Sequence, residues 1–276
     1  MFLGIPAGDL AVLAIGLVLA GALTGVLAGV FGVGGGAVIV PVLYELFRII
    51  GVPEDARMPL CVGTSLAIII PTSISSFRAH RKRGTVDMDI LRAWAVPVVV
   101  GTILGALVAR WAPPAVFKIV FVMVAGVNAA RLIGNLKWTL GDDMPKGPLM
   151  RVYGLFTGVL SALMGIGGGQ ISTMLMTFYN RPIHQAVSTS AGMGVLISIP
   201  GAMGYMISGY DKVGLPPLSI GFVSLIGLVL FAPISIFTAP LGVRLAHALP
   251  KRKLEVAFGC FLLLVSLRFV ASLLGY

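Results

Sequence analysis

The chain has 276 residues, of which 58% are hydrophobic and 11% charged, with a formal net charge of +10 at pH 7. So little charge cannot cover a soluble domain of this length, which excludes an ordinary water-soluble enzyme or binding module and makes lipid the solvent for most of the chain. The basic residues lie mainly in short loops between apolar runs, with no extended basic face or interleaved aromatics, which excludes a nucleic-acid-binding protein.

Met1–Leu10 lacks a basic leader region, so no cleavable signal peptide is expected. Apolar segments follow at 9–32, 35–50, 60–78, 90–110 and 115–134. After the polar stretch Asn135–Gly147 they resume at 150–166, 169–180, 186–208, 217–243 and 254–275. A helix needs about 20 apolar residues to cross a hydrocarbon core of roughly 30 Å. Segments 35–50 and 169–180 are short for a crossing, and each starts at a glycine cluster. Both spanning and re-entrant arrangements fit them.

The two series are copies. Thr24-Gly-Val-Leu-Ala-Gly-Val-Phe-Gly-Val-Gly-Gly-Gly36 returns as Thr157-Gly-Val-Leu-Ser-Ala-Leu-Met-Gly-Ile-Gly-Gly-Gly169, at a constant offset of 133 residues. Cys61-Val-Gly-Thr-Ser-Leu66 aligns with Ala186-Val-Ser-Thr-Ser-Ala191, and the same offset sets Gly84 on Gly209. Residues 1–135 therefore read as a first membrane repeat, 136–149 as a cytoplasmic linker and 150–276 as a second repeat. Five segments per repeat is an odd number, which makes the repeats inverted. The fold expected is an all-α integral membrane protein of two inverted repeats, with short or re-entrant helices after the glycine clusters.

Charge orients this arrangement, because Lys and Arg concentrate on the cytoplasmic side. With the N-terminus outside, only Arg48, Arg57, Arg110, Lys118, Lys212 and Arg268 of the 20 basic residues fall on the outer side. Both termini are therefore expected outside, and the Arg81–Arg83 loop inside.

Duplicated, glycine-interrupted apolar segments are the strongest sequence pointer to the binding site of a secondary transporter. Glycine lets the backbone leave the helix and present free N–H groups to an anion. The helix that follows adds its own N-terminal N–H groups and dipole. Gly34, Gly35 and Gly36 in one copy, and Gly167, Gly168, Gly169 and Gln170 in the other, are the candidate ligand-binding positions. Close helix packing is the alternative reading of the same glycines, and their repetition before two short segments favours the binding one. The pairs Thr64-Ser65 and Thr189-Ser190 add candidate hydroxyl donors, or else bond back to their own helices. Neutral donors suit a transporter, because fixed charge would slow release.

Ionisable groups within apolar segments are few. Glu45 and His184 are the candidate proton-coupling residues, although Glu45 also suits a pair with Arg48, and His184 a surface helix cap. Asn128 reads as interhelical glue. His80 and His247 fall in or beside basic loops and are expected in solvent. No metal-ligand spacing, cofactor motif or nucleophile–base pair stands out, so no catalytic residue, metal or cofactor is assigned.

At these residues the chain resembles the TauE/SafE family of sulfite exporter-like membrane permeases. The resemblance rests on the clusters Gly32–Gly36 and Gly165–Gly169, the run Val62-Gly-Thr-Ser-Leu66, the loop Lys82-Arg-Gly-Thr-Val-Asp87 and the run Ile183-His-Gln-Ala-Val-Ser-Thr-Ser190. After Gly209 the second repeat departs from the first, with Tyr210-Asp211-Lys212 in place of Thr85-Val86-Asp87. The resemblance implies a multi-pass plasma-membrane transporter that exports a small sulfur-containing anion, such as sulfite or an organosulfonate like sulfoacetate. An anion channel, or a permease for another organic anion on the same scaffold, is the alternative.

Overall fold

The computed structural model describes residues 18–19, 21–27, 36–136, 138–145, 147–212 and 214–275. Of the candidate binding positions, Gly34 and Gly35 lie outside the described residues. The chain is helical almost throughout. Helical residues 21–27 precede α1 (Gly36–Ile49), α2 (Glu54–Lys82), α3 (Met88–Trp111), α4 (Pro114–Gly134), α5 (Pro148–Met164), α6 (Gly169–Phe178), α7 (Ile183–Ser208), α8 (Leu225–Ala248) and α9 (Lys251–Leu273). Among the described residues, five helices, α2, α3, α4, α7 and α9, are long and apolar enough to cross a membrane.

Local chemistry sets the boundaries. The Asp87 side chain caps α3 by accepting from the N–H groups of Asp89 and Ile90 at 3.2 and 3.1 Å, which satisfies two donors that a helix start leaves open. Pro114 and Pro148 open α4 and α5, where a missing N–H costs nothing. Asn135 ends α4 with a left-handed φ of 52°.

The short segments after the glycine clusters are short helices. α1 has 14 residues and α6 only 10, or about 21 and 15 Å at 1.5 Å per residue, well under a hydrocarbon core. One boundary differs from expectation. Segment 217–243 begins as an antiparallel hairpin, β1 (Ser219–Ile220) with β2 (Val223–Ser224), pairing Ser219 with Ser224 and Ile220 with Val223. The hairpin folds back because a methyl on Gly209 would come within 2.4 Å of the Phe222 nitrogen, so only a glycine admits it there.

Packing follows the internal repeat. α2 lies along α7, and α4 along α9, each helix against its sequence counterpart. α3 packs on α5 through glycines: a methyl on Gly101 would lie 2.1 Å from the Leu155 carbonyl, and one on Gly158 would lie 2.2 Å from that of Val98. The copy of Gly158 is Gly25, where a methyl would come within 2.6 Å of the Ser235 carbonyl in α8. Such approaches pack backbone on backbone, the usual means of helix association where lipid removes the hydrophobic drive. α2 is the most buried of the five long helices and α9 the least. The outer faces of α3, α4 and α9 expose Leu107, Met123, Leu264 and Leu267, as lipid contact requires.

Candidate functional site

α5 ends at Gly165, whose φ of 66° is left-handed, and α6 begins after Gly168, with φ 72°. Side chains with a Cβ are strained in that region and glycine is not. The Gly165–Gly169 run is therefore a turn that breaks one apolar helix into two. Inside it, the Gly168 N–H donates to the Ile166 carbonyl, and the Ser172 hydroxyl, one turn into α6, donates back to the Gly168 carbonyl.

The turn is enclosed on several sides. A methyl on Gly165 would meet Val40 of α1 at 2.8 Å and the Val62 Cα of α2 at 3.0 Å; one on Gly167 would meet Ile69 of α2 at 2.7 Å. On the α7 side, a methyl on Gly194 would sit 3.3 Å from the Gly167 carbonyl and 2.5 Å from the Ser73 hydroxyl. The first copy of the cluster reaches the same place. A methyl on Gly36, the first residue of α1, would lie 2.7 Å from the Ile166 Cα and 2.8 Å from the Gly165 carbonyl. The start of α1 thus abuts the turn that leads into α6.

From there the two short helices run to different clusters. At the far end of α1, Glu45 pairs with Arg48 at 2.7 Å and with Arg268 at 2.9 Å, the latter off the line of a good hydrogen bond. Nearby, the buried Lys118 ammonium binds Glu54 at 2.7 Å and the Ser272 hydroxyl at 2.9 Å. At the far end of α6, the Arg131 guanidinium donates to the Thr177 hydroxyl at 2.9 Å, and Arg181 pairs with Asp143 at 2.7 Å. The ion pairs join outer-assigned residues to one another and inner-assigned residues to one another: Arg110 meets Asp211, beside Lys212, whereas Arg181 also approaches Asp87, beside the Arg81–Arg83 loop.

The candidate hydroxyls are engaged. Thr64 accepts from the Ser224 N–H at 3.0 Å, and Thr189 from the Asp87 N–H at 2.8 Å. Ser65 donates to the Gly165 carbonyl at 2.8 Å, and Ser190 to the Val187 carbonyl of its own helix at 2.8 Å. Ser65 therefore fixes the turn. Ser224, whose hydroxyl caps the Gly227 N–H, occupies the place in the second half that Asp87 holds in the first. The counterpart of Asp87 is not Lys212: the hairpin is an insertion that displaces it.

Around the turn, Ser161 of α5, Gln170 of α6 and Ser198 of α7 are buried without a hydrogen-bond partner, as are Thr157, two turns back along α5, and its repeat copy Thr24. Thr157 and Ser161 are one helical turn apart and share a face. Ser161 borders the turn, its hydroxyl 3.5 Å from where a methyl on Gly168 would stand. Ser198 is one turn on from Gly194, on the face of α7 that abuts Gly167. Gln170, in the first turn of α6, leaves both its amide nitrogen and oxygen unpaired. A buried polar group without a partner costs about 1–3 kcal/mol, so a cluster of them points to a ligand. Sequence reasoning reached Gln170 but missed Thr157, Ser161 and Ser198. The available signal was the repeat itself, since Ser161 and Gln170 replace Ala28 and Ala37 of the first copy.

The remaining candidates lie elsewhere. Glu45 is nine residues beyond Gly36, about 13 Å along the helix, and His184 is exposed at the start of α7. His80 is half-buried rather than in open solvent, because its Nδ1 meets the Ser188 hydroxyl at 3.0 Å. Asn128 bonds its own helix, at the Val124 carbonyl, rather than a neighbour.

The sequence matches the family model described as sulfite exporter TauE/SafE over residues 17–269. A Haemophilus influenzae protein named probable membrane transporter protein is 32% identical over 90% of this chain and 95% of its own length. A Methanocaldococcus jannaschii protein of similar name is 28% identical over 89% and 91%, and one from Bacillus subtilis is 30% identical over 70% and 78%. No solved structure matches. The chain is a helical membrane protein that belongs to the TauE/SafE family.

Proposed function

We propose that the chain is a secondary transporter that moves a small sulfur-containing anion, sulfite or an organosulfonate such as sulfoacetate, out across the plasma membrane by alternating access. The observation that carries this reading is the partnerless Gln170 amide and its neighbouring hydroxyls at the start of α6, in a family described by sulfite export. A broken helix whose N-terminus opens on unpaired donors at membrane depth is how transporters hold an anionic group. Residues 1–135 and 150–276 form the two inverted halves, joined by a cytoplasmic linker at 136–149. The start of α1 against the turn that leads into α6, and the different clusters at the far ends of the two helices, support that arrangement. Glu45 and His184 are the proposed proton-coupling groups, each toward an end of the protein where it meets solvent.

The test is transport by the purified full chain in liposomes. Radiolabelled sulfite and small sulfonates move with saturable kinetics, and Gly168→Val, which forces a branched side chain into a left-handed position, stops transport while the protein still inserts. No movement of any sulfur anion overturns the substrate. Non-saturating single-molecule currents identify an anion channel instead.

A further inference from the structure

The two glycine clusters share their glycines, but the side chains flanking them differ. Where the second half has Ser161, Gln170 and Ser172, the first has Ala28, Ala37 and Ile39. Ser161 and Gln170 are 0% and 5% exposed and have no partner, whereas Ala37 is packed in the apolar core. The first half meets the turn mainly with Gly36, Val40 and Ile69, which fill space, and with Ser65, whose hydroxyl is already given to the Gly165 carbonyl.

The charge around the turn is equally uneven. Lys118 is the buried charged side chain among the described residues, and Glu54 and Ser272 already hold it. It neighbours Tyr44, eight residues or about 12 Å along α1 from Gly36. What acts on an anion at the turn is therefore the neutral donors and the two helix starts. Each helix start carries roughly half a positive charge, so together they balance about one negative charge. The cost of removing an ion from water grows as the square of its charge, and neutral donors do not offset a second charge.

We propose that the site reads its ligand chiefly through second-half side chains, Ser161 and Gln170 foremost, and selects a singly charged oxyanion such as a sulfonate group or hydrogensulfite over a dianion such as sulfate. The proposal rests on the anion-transport reading above. The Gln170 amide nitrogen and the Ser161 hydroxyl donate to the oxyanion, and α1 serves as a packed wall.

Thermal unfolding of the purified full chain in detergent, with methanesulfonate or sulfate at matched ionic strength and neutral pH, tests it. A ligand that binds only the folded protein raises the midpoint. Methanesulfonate raises it and sulfate does not. Gln170→Leu weakens methanesulfonate binding about tenfold or more, the loss of a hydrogen bond to a charged group, yet leaves the ligand-free midpoint equal or higher, because it removes a buried unpaired amide. A purely structural glutamine would lower that midpoint. Ser161→Ala gives the same pattern more mildly should Gln170→Leu fail to fold, and Ala37→Ser leaves the methanesulfonate shift intact. Equal stabilisation by sulfate overturns the charge selectivity and leaves anion transport standing. An undiminished shift in both Gln170→Leu and Ser161→Ala, or its loss in Ala37→Ser, overturns the one-sided site. No response to methanesulfonate, together with no sulfur-anion flux in liposomes, overturns the parent reading and this one with it.

Discussion

The Thr189 hydroxyl in α7 accepts a hydrogen bond of 2.8 Å from the Asp87 N–H, at the first turn of α3 in the other half of the chain. Its counterpart in α2, Thr64, does the same at 3.0 Å for the Ser224 N–H that starts α8. Each half thus fastens the start of a helix in the other. Thr64, Thr189 and Ser224 are buried and Asp87 is half-buried, so the Ser224 N–H has no water to turn to if its acceptor is removed, and the Asp87 N–H has less than a surface donor.

Thr64→Val and Thr189→Val keep the side-chain shape and delete the acceptor. Thr64→Val should lower unfolding stability by about 1–3 kcal/mol, the cost of an orphaned buried donor, and Thr189→Val by the lower part of that range because Asp87 is half-buried. Thr→Ser at either position should cost markedly less, because the oxygen remains. Denaturant unfolding in detergent micelles measures both, and an unaffected Thr→Val variant would show that these bonds are incidental.

The crossing of α3 and α5 gives a prediction about packing. The methyl of Gly158→Ala would stand 2.2 Å from the Val98 carbonyl, and that of Gly101→Ala 2.1 Å from the Leu155 carbonyl. Backbone cannot rotate aside as a side chain can, so the helices must separate. Each substitution should destabilise the protein by about 1–3 kcal/mol or more. Gly126→Ala, in α4, meets nothing within 4 Å, and alanine favours a helix by up to about 1 kcal/mol over glycine. It should be neutral or stabilising in the same assay.

The Lys118–Glu54 pair is lopsided. The Lys118 side chain is 2% exposed and that of Glu54 is 59% exposed. Removing the lysine leaves a carboxylate that water can solvate. Removing the glutamate leaves a buried ammonium with only the Ser272 hydroxyl and the Tyr44 ring face, 5.4 Å away, to answer it. Glu54→Ala should therefore destabilise more than Lys118→Met, by about 2 kcal/mol, short of the 3–5 kcal/mol for a fully buried pair because Glu54 is already hydrated. Equal losses would mean that the lysine is worth only its packing.

Much of the architecture was legible because it is periodic or punctuated. Apolar runs separated by polar stretches such as Asn135–Gly147 marked the helices, and the glycine repeat marked the starts of α1 and α6. Hairpin 219–224 was not legible, since strands of two residues set by a tight contact at Gly209 leave no periodic trace. The site divided in the same way. Gln170 stands beside the glycines and was found. Ser161 and Ser198 are single hydroxyls in apolar helices, and in such places a serine ordinarily bonds its own helix, as Ser190 and Ser266 do here. That Ser161 and Ser198 do not is a tertiary fact.

The charge pattern makes a last prediction that bears on the whole arrangement. Lys82 and Lys212 are both exposed. Lys82 ends α2 beside the basic loop, where the excess of Lys and Arg assigns the cytoplasm. Lys212 is adjacent to Asp211, which meets Arg110 at the end of α3, and α3 starts at Met88, just past Lys82, and is long enough to cross. Lys82→Cys and Lys212→Cys, each in a background with Cys61 and Cys260 replaced by serine or alanine, should therefore react with a membrane-impermeant thiol reagent from opposite sides. In intact cells Lys212→Cys should label and Lys82→Cys should not; in inverted vesicles the order should reverse. Labelling of both from one side would break the assignment of α3 as a crossing helix, and with it the inverted relation of the halves. Labelling from opposite sides in the reverse sense would keep the inversion and turn the proposed orientation over.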